Sequence, residues 1–278
     1  MKDKKVMIGL SGGINSMAVL CDLAKNENRP ADIYLFYAHF KEHSPDTLPF
    51  VLSGVEFAKK HFANVHYKQT DNSVIEFFKE SKMIPHPTVA PCTRLLKIIP
   101  MANFAMENGI QIDLIGYVKE ENRRVKNMIA KGANNLFLTK QFPIQHLSNE
   151  DCFSIVDENI GWHPKIYDLR WNDEWFIQFV KERLSRFDEA IQKKLLKKIG
   201  TNERVFTHNN CLPCKNMQLD DYLAVEYFYP EHFAASLQLS EELKKHWGRN
   251  EKDYWNSFGR EDWEVNNEKQ ICDVCAAD

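Results

Sequence analysis

The chain has 278 residues, 44% of them hydrophobic and 27% charged, and carries a net charge of −3 at pH 7. That is the mix of a globular protein with its own core, and the small negative charge excludes a general electrostatic attraction to nucleic acid or membranes. No apolar stretch approaches the ~18–20 residues of a membrane-spanning helix, and the basic start "MKDKK" leads into no signal-peptide core, so a soluble, cytoplasmic protein is expected.

In chain order, "KVMIGL" reads as a buried strand and "SMAVLCDLAKN" as a helix packing through Val19, Leu20 and Leu23. "ADIYLFYAHF" is a second strand, rich in aromatics. "TLPFVLSGVEFAKKHF" follows as a helix with Pro49 in its first turn and Phe50, Val51, Val55, Phe57 and Ala58 as its apolar positions. "NVHYKQT" predicts a third strand and "SVIEFFKES" a short helix. "CTRLLKIIPMANFAMENG" is a helix interrupted at Pro100 and stopped by Gly109, and "IDLIGY" a fourth strand. Strands alternating with helices predict βαβ units. The expected core is a mainly parallel, Rossmann-like sheet with helices on both faces, over residues 1–145.

From 146 to 278 the pattern turns helical. "PKIYDLRWNDEWFIQFVKERLSRFDEAIQKKLLKKIG" places Leu184, Phe187, Ile191, Leu195 and Ile199 at helical spacing before Gly200. "QLDDYLAVEYFYPEHFAASLQLSEELKKHWG" gives two helices divided by Pro230. Lys193, Lys194, Lys197 and Lys198 read as a solvated helix face; a nucleic-acid acceptor, which such a patch would serve, has no support from the net charge. Trp171, Trp175, Trp247, Trp255 and Trp263 read as helix packing. His39, His43, His86 and His208 are dispersed, with no pair at the spacing of a helix-borne metal site.

"SGGINS", Ser11 to Ser16, joins the first strand to the first helix. Backbone N–H groups and the helix dipole make such a turn an anion site, Gly12 and Gly13 admit close approach, and Ser11 and Ser16 add hydroxyls. The segment lacks the Gly-Lys-Ser/Thr ending of a Walker loop and the Gly-x-Gly-x-x-Gly of a dinucleotide loop. The seven cysteines include two pairs, Cys211-x-x-Cys214 and Cys272-x-x-Cys275, suited to metal or redox chemistry in a reducing compartment. Cys21 and Cys152 lie among apolar residues and read as core.

The loop resembles the Ser-Gly-Gly-x-Asp-Ser pyrophosphate loop of the adenine nucleotide alpha-hydrolase superfamily, with Asn15 where that superfamily has Asp. Neutral Asn is the weaker ligand for Mg²⁺. "PCTRLLKIIP" resembles the Cys-Thr-Arg-x-x-Lys segment of the phosphoadenosine phosphosulfate (PAPS) reductase-like family. "GYVKEENRRVKN" resembles its Gly-x-Arg-x-x-Glu-Ser-x-x-Arg motif, matching Gly116, Glu121 and Arg124 and departing at Val118 and Asn122. "HPKIYDLRW" and "HNNCLPCKNMQLDDYLAVEYFYP" resemble the region around that family's Cys-x-x-Cys, so the likeness covers most of residues 5–235.

The resemblance implies ATP or a related adenine nucleotide, with Mg²⁺, held by Ser11, Gly12, Gly13, Asn15, Ser16 and Gly116. It gives Arg94, Lys97, Glu121, Arg124 and Cys92 catalytic roles. It also implies cleavage of ATP between the α and β phosphates coupled to sulfur transfer, with a sulfur donor as partner. Two alternatives stand beside it: a sulfonucleotide reductase producing sulfite with a thioredoxin-like reductant, and a nucleotide- and metal-binding component that has lost turnover. For the metal, four-cysteine Zn²⁺ on Cys211, Cys214, Cys272 and Cys275 competes with an iron–sulfur cluster on Cys92, Cys211, Cys214 and one tail cysteine.

Overall fold

The computed structural model describes residues 2, 4–81, 91–130, 138–206, 211, 212, 214, 217 and 219–247, apart from the side chains of 240 and 243–247. Among them the chain forms two compact units, one of residues up to Asn72 with Pro91–His163, the other of residues from Ser73 to 81 and from Pro164 to 247.

In chain order the strands are β1 (Val6–Gly9), β2 (Asp32–Phe40), β3 (Asn64–Asn72), β4 (Ile112–Leu114) and β5 (Thr139–Gln141). The helices are α1 (Ile14–Lys25), α2 (Thr47–His61), α3 (Val74–Ser81), α4 (Pro91–Thr93), α5 (Ile99–Asn108), α6 (Asn122–Ala130), α7 (Asn149–Ile160), α8 (Glu174–Arg183), α9 (Glu189–Lys198), α10 (Leu219–Phe228) and α11 (Pro230–Trp247).

The five strands form one parallel sheet in the order β3-β2-β1-β4-β5, the Rossmann-like α/β fold expected from the alternating pattern. Central β1 contributes Val6, Met7 and Ile8 with no exposed surface, each stabilising the core by roughly 1.5–3 kcal/mol. Alternation along β2 sends Tyr34 and Phe36 to one face, where Met101 and Phe104 of α5 pack on them and on Met7. Ile33, Leu35, Tyr37 and His39 therefore point to the opposite face, covered by α1 and α2, with α7 packed against both of those helices.

Several boundaries differ from the sequence pattern for physical reasons. The fourth strand stops at Leu114, so Gly116 and Tyr117 leave the sheet. Helix α7 lacks a clean apolar stripe; its start is set instead by a capping box, in which Ser148 Oγ accepts from Asp151 N (3.1 Å) and Asp151 Oδ2 accepts from Ser148 N (2.7 Å). Strand β5 has three residues and no apolar alternation. The interruption expected at Pro100 falls upstream as a π-helical segment, Arg94–Ile98, in which the Ile99 N–H donates to the Arg94 carbonyl. Pro100 has no N–H and its ring crowds the preceding turn, which favours the wider winding there.

In the second unit, the long helical stretch is divided into α8 and α9 by their own caps. Asp173 accepts from Phe176 N and Asp188 from Ile191 N, both at 2.8 Å. Phe187 therefore stands outside either helix, while Ile191 and Leu195 are buried. Trp171 is fully buried against Phe176, but Trp175 is 79% exposed, so helix packing does not account for it. Trp247 as a side chain, Trp255 and Trp263 lie outside the described residues. The lysines of α9 are partly engaged: Lys193 pairs with Glu189 (2.9 Å) and Lys198 with Asp220.

Candidate anion site at the carboxyl edge of the sheet

β1 leaves the sheet where Leu10 N donates to Phe36 O (2.8 Å). The next six residues are tied into a small closed turn. Ser11 N donates to Ser16 Oγ (3.1 Å), Ser16 Oγ donates to Gly13 O (3.0 Å), and Gly13 N donates to Ser11 Oγ (3.2 Å). Gly12 takes φ 77°, a left-handed conformation that side chains disfavour. At Gly13 no side chain caps α1, and its first turn holds no acidic residue. The positive end of the α1 dipole therefore faces the loop without a compensating charge from that turn.

The strand order puts this loop at the point where the chain's connections part. From β1 the chain runs to β2 on one side, and β4 lies on the other. In open parallel sheets the crevice outside the carboxyl ends of two such strands is the ligand site. The loop after β4 enters that crevice. A Cβ on Gly116 would lie 2.8 Å from both C and O of Asn15 and 3.1 Å from Ser16 N. Only glycine lets the two loops approach this closely.

Beyond Gly116, a short 3₁₀ turn (Lys119–Glu121) leads into α6. Glu121 is mostly buried and accepts from Arg124 Nη1, from Val118 N (3.5 Å) and from Asn15 Nδ2 (3.5 Å). The Arg124 guanidinium lies 4.5 Å from the centre of the Tyr117 ring, which stacks on Phe142. Ser11, Asn15, Ser16, Gly116, Glu121 and Arg124 are thus brought into one constellation from two separate stretches of sequence.

The residues present suit an anion better than Mg²⁺. The carboxylate tied to the loop is Glu121, whose oxygens are engaged by Arg124, Asn15 and Val118. Asn15 presents its amide as a donor. A hard dication would have to displace these bonds to gain one charged ligand.

Arg94 and Lys97 lie on the π-wound segment, which spreads positions i and i+3 further round the axis than an α-helix does. Arg94 is exposed; Lys97 is half-buried, with Nζ 5.0 Å from the centre of the Phe40 ring at the carboxyl end of β2. Cys92, on α4, is half-buried. In the other unit Cys211 is buried and Cys214 half-buried. The Cys214 carbonyl accepts from Tyr222 Oη (2.9 Å) and Met217 N (3.0 Å), which anchors the cysteine loop to α10. Two cysteines at this spacing fit half of a tetrathiolate site and would supply two thiolates to zinc or an iron–sulfur cluster. Cys272 and Cys275 lie outside the described residues, as do His86 and His208. Among the described residues no group of three or more His, Cys, Asp or Glu side chains is placed to hold a metal ion. Burial pushes the thiols of Cys21 and Cys152 up to about 12, as expected of core cysteines. Among the described residues no helix is long and apolar enough to cross a membrane.

One cluster escaped the sequence pattern. Tyr37 Oη shares a 2.7 Å hydrogen bond with His43 Nδ1 and a 3.3 Å one with His39 Nδ1. The spacing of the two histidines carries no helix signal because one ends a strand and the other follows it. A tyrosine two residues before a strand-end histidine, on the same face, was the available clue.

The molecule is thus a doubly wound α/β protein with an anion-type loop at its switch point. No protein-family model matches the chain, and no curated protein matches it. Similar solved structures include a PAPS reductase from Candida auris in a phosphate complex (15% identity, 59% of this chain and 77% of that one, TM-score 0.40). Another is the U34-tRNA thiolase NcsA from Methanococcus maripaludis with its 4Fe–4S cluster (13%, 90% and 75%, 0.40). A third is an NH3-dependent NAD synthetase from Campylobacter jejuni in complex with nitrate (15%, 71% and 85%, 0.34).

Proposed function

We propose that the chain is an adenine-nucleotide-binding enzyme of the PAPS reductase-like kind, with the nucleotide phosphates seated on Ser11–Ser16 at the N-terminus of α1. The observation that carries this reading is the approach of Gly116 to the Asn15–Ser16 backbone at the switch point of the sheet. Two motifs distant in sequence are built against each other where a phosphate-bearing ligand belongs.

In this reading the loop N–H groups and the Ser11 and Ser16 hydroxyls hold the β,γ-pyrophosphate as leaving group. A substrate oxygen attacks the α-phosphorus, the bond to the bridging oxygen breaks, and pyrophosphate departs with the electron pair. A sulfur nucleophile then displaces AMP from the adenylated substrate. Positioning and charge stabilisation carry the catalysis: Arg124 and Lys97 lie at the carboxyl edge of the sheet, and Arg94 supplies an exposed charge on the same segment as Lys97. Cys211 and Cys214 would hold the zinc or cluster, whose contribution when bound is to fix or carry sulfur; Cys92 is the third ligand candidate. A sulfur donor is the implied partner, and a thioredoxin-like reductant would replace it in a sulfonucleotide reductase using Cys272 or Cys275.

A second reading has its own observation. Glu121 is occupied by Arg124 and Asn15, and Asn15 offers no charge to a metal; this favours a nucleotide-binding component without turnover. Incubation of the purified, anaerobically prepared chain with ATP separates the two. Pyrophosphate release that disappears in Gly116→Ala supports the enzyme; binding of ATP without release supports the second reading.

A further inference from the structure

The Tyr37–His39–His43 cluster stands beside the anion loop on the α1/α2 face of the sheet. The register pairs Gly9 with Phe36, so Leu10 is level with Tyr37 and Ser11 follows one residue on. His39 lies two residues beyond Tyr37 on the neighbouring strand, about 6.5 Å along from the level of Leu10 and one strand spacing of about 4.8 Å across. The side chains of Tyr37 and His39 share a face by strand alternation, and α1 begins on that face.

The hydrogen bonds fix how His39 is presented. His43 is buried, and desolvation, with the charges of Lys97 and His39 added, holds its imidazole well below the ordinary range, so it is neutral. A neutral His43 can accept the Tyr37 proton at Nδ1 (2.7 Å), which leaves the Tyr37 oxygen to accept from His39 Nδ1–H (3.3 Å). His39 Nδ1 is thereby committed, and its Nε2 has no hydrogen-bond partner among the described residues. The ring is half-buried and held at one end, with one nitrogen available to a ligand.

We propose that His39 extends the anion site, donating from Nε2 as an imidazolium to an oxyanion seated on the Ser11–Ser16 loop and taking up a proton when that anion binds. The inference rests on the nucleotide reading above and adds to it a residue that confers proton-linked affinity. The charged and titratable groups around His39 are Asp71, its register partner on β3, Tyr37 on its own strand, Glu42 and His43 in the following loop, and Lys97 on the π-wound segment. With Nδ1–H committed to Tyr37, Nε2 can donate to an anion only when the ring is an imidazolium, the form an oxyanion on the loop would favour.

The test is titration of the full chain with sulfate, which stays a dianion throughout, between pH 5.5 and 8, in buffers of differing ionisation enthalpy. Wild-type affinity is expected to fall roughly tenfold as pH rises, with proton uptake measurable on binding. His39→Gln should bind weakly and with little pH dependence, and Tyr37→Phe should keep the dependence but move its midpoint. An unchanged pH dependence in His39→Gln overturns the inference and leaves the anion loop standing. Failure of the wild type to bind sulfate even at pH 5.5 overturns the loop and the inference together.

Discussion

At the scale of single residues, the departure that matters most is Asn15. An Asp in its place would set a second carboxylate beside Glu121, whereas the amide donates to it. Asn15→Asp is therefore expected to lower stability in the absence of divalent cations by about 1 kcal/mol, through the lost donor and the like-charge contact. Mg²⁺ should restore the urea midpoint of the variant while leaving that of the wild type unmoved; a variant indifferent to Mg²⁺ would show that the position has no metal-binding potential. The turn itself was legible in the sequence because few residues other than glycine and serine suit a tight strand-to-helix turn. The Glu121 contact was not, because 106 residues separate the two partners and only the fold closes that distance.

At the scale of elements, β4 carries an anomaly with a measurable consequence. Asp113 lies on this inner strand, 3% exposed, and burial, partly offset by Lys140, pushes its carboxyl up to about 6. A carboxyl raised above its unfolded value stabilises the fold fully at acid pH and loses that contribution as pH climbs from about 4 to about 6. Asp113→Asn should therefore be more stable than wild type at pH 8, by on the order of 2–3 kcal/mol, and no more stable at pH 4. Denaturant titrations at the two pH values check this; equal gains at both would assign the effect to packing instead. Most of the strand and helix order was readable from period alone, because buried parallel strands such as "KVMIGL" and amphipathic α2 have little alternative. Elements fixed by other means were not. α7 depends on the Ser148–Asp151 box, β5 on its neighbour β4, and the π winding at Arg94–Ile98 on the missing N–H of Pro100.

At the scale of the whole molecule, the Ser11–Ser16 loop and the Cys211–Cys214 pair belong to different compact units, so each can be altered by itself. Replacing Cys211 and Cys214 together by serine should remove bound zinc or iron, measured by metal analysis of anaerobically purified protein, and leave ATP affinity within about twofold of wild type, as independent sites usually behave. Parallel loss of both would tie the nucleotide site to the metal. The sequence announced the two cysteine pairs, but local spacing names a metal class and leaves the third and fourth ligands to the fold. The proposed function requires a nucleotide where the Gly116 backbone meets the Asn15–Ser16 turn, and calorimetric titration of ATP into the full chain, with Gly116→Ala beside it, measures this. Binding by the wild type is expected, with at least a tenfold loss in a variant whose thermal unfolding shows it folded; a wild type that does not bind ATP, or a folded Gly116→Ala that binds it equally well, would refute the proposal.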